Sequence, residues 1–190
     1  MSDVLGGDGQ AQPGAVTVWD GFDHFATTPV TAPPATGAPP RSLAEHLAYH
    51  SRFVTVRTPA IQALAKQVRT LLVLGRHQQV TARPSLIVTG PAGAGKTTAL
   101  LQIGRACHLA HTRRQGDEAA SGQVPVAYVL VPPAASAETL ALEFARYFGI
   151  PVTGRTAQAG IVNSVCHAYT AAGVRQVMID FTDRDLCAAG

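Results

Sequence analysis

Eight consecutive residues constrain this chain more than any other feature. Gly90, Pro91, Ala92, Gly93, Ala94, Gly95, Lys96 and Thr97 read G-x-x-x-x-G-K-[ST] at every fixed position. Glycine at 90, 93 and 95 lets the backbone curl until successive N–H groups point into one hollow, and a helix opening near Lys96 adds its positive end. Such a hollow is shaped for a phosphate chain. Lys96 supplies a point charge for the β- and γ-phosphates, the Thr97 hydroxyl is placed to ligate Mg2+, and Thr98 follows as its neighbour in the helix. The expected ligand is therefore Mg-ATP. A second metal-binding group is expected downstream, and the apolar run Val177, Met178, Ile179 ending in Asp180 is the best candidate. The same pattern also describes a strand end that merely begins a turn.

The context of the loop agrees with the motif. Residues 85–89 read as a β-rich strand entering it, and 97–114 as a helix leaving it with Leu100, Ile103 and Cys107 inward. Further strands are predicted over 124–131 and 174–179, with helices over 136–148 and 156–172 between them, and Pro125 suggests a sheet edge. Upstream, Ser42 and Glu45 form a capping box for a short helix through His50. Thr58 and Pro59 open a longer helix with Ile61, Leu64, Val68, Leu71 and Leu72 on one face and Gly75 as its stop. His46 and His50 share a face, but without a third ligand at fitting spacing they read as surface histidines.

Residues 1–40 contain six Gly and six Pro, with four Asp and no Lys or Arg, and read as a disordered acidic tail. Trp19, Phe22 and Phe25 recur there beside Asp20 and Asp23, either as a short docking motif or as a chance cluster. Residues 41–180 carry fourteen of the fifteen Lys and Arg against six Asp and Glu, a surplus that suits a phosphate-rich partner such as DNA. No basic block exceeds the pair Arg113 and Arg114, so a solvated surface explains the surplus equally well. No apolar run is long enough to span a bilayer and no signal-peptide pattern opens the chain, which points to a cytoplasmic protein without a membrane partner. Cys107, Cys166 and Cys187 lack metal-ligand spacing and read as reduced thiols.

Together, the segment from Arg52 to Pro59 (RFVTVRTP), the loop GPAGAGKT, residues 124–133 (VPVAYVLVPP) and the VMID run ending at Asp180 resemble the bacterial TniB-type NTP-binding proteins, AAA+ helpers of transposition. The resemblance covers about residues 41–180. It implies an α/β fold, a P-loop NTPase of AAA+ type built as a three-layer sandwich around a parallel sheet. It also implies an ATP-dependent regulator that self-associates on target DNA and recruits or activates a transposase. Val54, Val56 and Pro59 would lie near the adenine, and Asp180 would be the Walker B aspartate. One departure is abrupt: such proteins continue that aspartate with Glu, whereas Asp180 is followed by Phe181, Thr182, Asp183, Arg184 and Asp185. Phenylalanine accepts no proton, so hydrolysis is expected to be impaired and no catalytic residue is assigned. Residues 181–190 read as an aberrant short tail, and the domain as C-terminally incomplete, a truncated or frame-shifted copy of low stability. Two other functions share the motif: a P-loop kinase or phosphotransferase, and a non-catalytic interaction fragment.

Overall fold

The computed structural model describes residues 14–30, 37, 42–50, 58–77, 83–115, 122–153 and 157–181. In chain order these form α1 (Trp19–Thr27), α2 (Leu43–His50), α3 (Pro59–His77), α4 (Lys96–Gln115), β1 (Val126–Val131), α5 (Ala137–Tyr147), α6 (Gln158–Ala171) and β2 (Gln176–Phe181). The strands run parallel, with Val126 opposite Gln176 and Val131 opposite Phe181. Parallel neighbours cannot be joined by a tight turn, and α5 and α6 make the crossover. Pro125, expected within the strand, sits one residue before it, and its carbonyl accepts the N–H groups of Arg175 and Gln176 at 3.0 and 3.1 Å.

Helix ends follow the sequence signals closely. The capping box closes in both directions, Ser42 N–H donating to Glu45 Oε2 at 2.8 Å and Glu45 N–H to Ser42 Oγ at 3.3 Å. Thr58 Oγ1 caps α3 at Ile61 N–H, and Ser136 Oγ caps α5 at Thr139 N–H. Helix α5 ends at Gly149 with φ 63°, where Ile150 N–H donates to Ala145 O at 3.0 Å, the bond pattern that ends a helix in a left-handed residue. Gly75, by contrast, does not stop α3, which runs on to His77 while Arg83 donates to the Gly75 carbonyl.

Two expectations are corrected. Residues 85–89 form no strand: Leu86 is 41% and Ile87 84% exposed, and neither β1 nor β2 takes the segment as a neighbour. A β-rich sequence becomes a strand only where another backbone offers its N–H and C=O groups, and among the described residues β1 and β2 pair with each other and not with this segment. The second correction concerns the acidic tail. Within it, α1 lies in the hydrophobic core, with Phe22 and Ala26 both 0% exposed. The Gly and Pro average over 1–40 conceals a short apolar stripe at helical spacing, Trp19, Phe22 and Ala26, and that stripe is enough to dock one helix.

Polar anchors hold α1 in place. Arg105 on α4 donates to the carbonyls of Ala26 at 3.0 Å and Thr28 at 2.5 Å, and His108 Nε2 lies 3.2 Å from Asp23 Oδ1. Gly21 is required where α1 crosses the chain before it, because a Cβ there would fall 2.2 Å from the carbonyl oxygen of Ala15. The whole is a mixed helix and strand fold around a small parallel sheet. The expected three-layer sandwich is not complete among the described residues. Every residue of β1 except Leu130, which is 36% exposed opposite Asp180, is buried, while Val177, Ile179 and Phe181 leave one face of β2 open.

Candidate functional site

The loop has the backbone that its glycines permit. Gly93 and Gly95 adopt φ 73° and 80°, left-handed values that side chains disfavour, and α4 starts directly afterwards at Lys96. Ala94 N–H bonds back to Pro91 O at 3.3 Å, and Ala99 N–H to Gly95 O at 2.9 Å. Lys96 Nζ folds over the loop and donates to the carbonyls of Gly90 and Pro91 at 2.8 and 2.9 Å. Residues 90–95 and Thr97 are exposed, Thr98 is half-buried, and the first turn of α4 contains no acidic residue. The helix end is therefore electropositive and accessible, as anion binding requires.

Contacts along α4 show where that end lies relative to the sheet. Its C-terminal part meets the start of β1, since His111 Nε2 is 2.7 Å from Oε1 of Gln123, just before the strand. Its middle meets the middle of β2, where a Cβ on Gly104 would fall 2.2 Å from Met178 Cε. Helix α4 thus runs opposite to the strands, and its N-terminus lies at their carboxyl ends. Thr97 is seven residues before Gly104, about 10 Å along a helix, and Asp180 is two residues beyond Met178, about 7 Å along a strand. The start of α4 and Asp180 therefore lie toward the same end of the sheet.

Asp180 is no turn-opening residue. It is the fifth residue of β2, only 6% exposed, on the face that Met178 presents to α4. Its Oδ2 accepts the hydroxyl of Tyr128 at 2.8 Å. Tyr128, itself 2% exposed, stacks on Phe22 of α1 with centroids 6.4 Å apart and planes at 18°. Burial, then the bond to Asp180 and its negative charge, push the phenol well above the tyrosine range, so the hydroxyl keeps its proton and remains a donor. Phe181 points to the opposite face and is 69% exposed.

Sequence reasoning missed Tyr128, and it read Phe22 as part of a docking motif or a chance cluster rather than as a core residue against Tyr128. A signal existed for the first: a tyrosine inside the apolar run of β1 buries a hydroxyl that needs a partner. Of the residues expected near an adenine, Pro59 opens α3, and Val54 and Val56 lie outside the described residues.

The donor set suits magnesium better than a caged metal. No group of three or more His, Cys, Asp or Glu gathers among the described residues. Magnesium needs no such cage, because it binds one or two protein oxygens and fills its shell with water and phosphate oxygens. The Thr97 hydroxyl and the Asp180 carboxylate are hard oxygen donors of that kind.

No described helix is long and apolar enough to cross a membrane. Residues 46–187 match the family model of the bacterial TniB protein. No curated protein and no solved structure matches the chain. The family match takes in the loop, both strands and Asp180, and covers well over half of the sequence. The chain therefore belongs to the bacterial TniB family of transposition-associated, NTPase-like proteins.

Proposed function

We propose that the chain binds Mg-ATP at residues 90–97 and serves as a nucleotide-dependent helper of a transposase on DNA. The observation that carries this reading is the left-handed Gly93 and Gly95 delivering the backbone into the N-terminus of α4, at the end of the sheet where Asp180 is buried. In this reading the loop N–H groups and Lys96 hold the phosphates, with Thr98 beside them, and Thr97 and Asp180 hold Mg2+ through oxygen. The metal, when bound, neutralises phosphate charge. Phe181 offers no base for water at the position after Asp180, so nucleotide is bound far more readily than it is turned over. The basic surplus outside residues 1–40 supplies the attraction for DNA, and self-association on it is part of the same proposal.

Titration with a fluorescent ATP analogue, with and without Mg2+, tests this. Saturable binding that tightens with Mg2+ is expected, and Lys96→Ala should weaken it about ten- to a hundredfold, the worth of a charge-assisted phosphate contact. Equal affinity in the variant would remove Lys96 from the site, and no binding at millimolar nucleotide would end the proposal. Phosphate release clearly above a no-protein blank, with or without DNA, would overturn slow turnover.

A further inference from the structure

We infer that Tyr128 is a positioning residue for the metal-binding carboxylate, acting through Asp180 and steadied in turn by Phe22 of α1. The inference rests on the reading of Asp180 as a magnesium ligand. Two observations and one fact of phenol chemistry carry it. Tyr128 and Asp180 share the sheet face turned toward α4: in the strand register Tyr128 lies opposite Met178, and Asp180 follows Met178 by two residues. The hydroxyl reaches diagonally across that face to Oδ2 at 2.8 Å. A phenol has one proton to give, so it can fix one carboxylate oxygen but cannot occupy both.

The ring is itself held. Phe22 stacks on it, and α1 is tied to α4 through Arg105 and through His108 with Asp23. A carboxylate on a strand end, left alone, turns about its side-chain bonds; a buried donor at Oδ2 selects one orientation. Metal ligands characteristically depend on such outer partners, whose loss costs about ten- to a hundredfold in metal affinity. Helix α1 thereby becomes part of the metal half of the site without touching it.

The test uses the full chain, with the fluorescent ATP analogue as probe and Mg2+ as the titrated variable. Tyr128→Phe keeps the ring against Phe22 and removes only the hydroxyl. The Mg2+ concentration for half-maximal enhancement of binding should rise about tenfold or more, while affinity in EDTA stays at the wild-type value. Asp180→Asn should abolish the enhancement, and Tyr128→Phe added to Asp180→Asn should change nothing further. A merely structural Tyr128 would lower affinity equally with and without Mg2+, and that result, or an unshifted Mg2+ midpoint, would overturn the inference while leaving Asp180 in place. An enhancement that survives Asp180→Asn would instead overturn the assignment of Asp180, and the inference with it. Should Tyr128→Phe fail to fold, Phe22→Leu decides the matter by the same two readings. It leaves the hydroxyl but unseats the ring, and should move the Mg2+ midpoint in the same direction by a smaller factor.

Discussion

The two faces of the small sheet are built in opposite ways. One face presents Tyr128, Met178 and Asp180, all at most 6% exposed, to α4 and α1. On the other, β1 is covered by its neighbours, while Val177, Ile179 and Phe181 of β2 are 45%, 37% and 69% exposed. A six-residue strand that alternates buried and exposed positions draws its stability from one side only. The covered side also carries the candidate metal ligand. The same packing that stabilises the sheet therefore orients the site, and damage to it should reach both stability and metal response.

The strongest way to break this comparison is Phe22→Ala. A fully buried phenylalanine between Tyr128 and α4 should cost about 3–5 kcal/mol on truncation. Chemical denaturation would measure it, and a loss below about 0.5 kcal/mol, the scale of an ordinary surface change, would restore the view of α1 as a loose tail. Gly104→Val comes next. Its Cβ would fall 2.2 Å from Met178 Cε and 3.1 Å from Phe22 Cζ. The methionine end can move and the phenylalanine ring cannot easily follow, so about 1–3 kcal/mol of overpacking is expected.

How much of this was legible in the sequence depended on how local the cause is. The loop was readable because residues 90–97 encode their own backbone, and the caps at Ser42 and Thr58 because each acts within three residues. The bond from Tyr128 to Asp180 spans 52 residues: the apolar run around Tyr128 signals a buried hydroxyl in need of a partner, but nothing near either residue says which partner. Residues 85–89 misled for a related reason: their β propensity is local, but the partner that would make them a strand is not. For α1, composition averaged over forty residues outweighed a nine-residue amphipathic pattern that was present to be read.

A smaller effect on the covered side should come with pH. His108 is 3% exposed, its Nδ1 has no partner, and the rings of Trp19 and Phe22 lie against it. Burial lowers its pKa below the usual 6.5; Asp23 opposes this and His111 adds to it. Burial wins because Asp23 is 44% exposed and its charge is screened by water. The unfolded chain then binds the proton more readily than the folded one. The contribution is complete above pH 6.5 and is lost as pH falls below it toward the folded pKa. Unfolding temperature measured from pH 8 down to 5 should decline more steeply in the wild type than in His108→Gln. Parallel curves would mean that His108 is not what couples α1 to pH.

The least effect is expected on the open side. Phe181→Thr keeps a residue that suits a strand and removes a ring that is 69% exposed, so little buried contact is lost. Stability should stay within about 0.5 kcal/mol of wild type, the range of surface substitutions away from caps and cores. Magnesium response should also be unchanged, because Phe181 and Asp180 point to opposite faces of β2. The measurement sharpens the comparison from its weak end. A loss above about 1 kcal/mol would mean that this face is covered in solution, and the contrast between the two sides of the sheet would no longer hold.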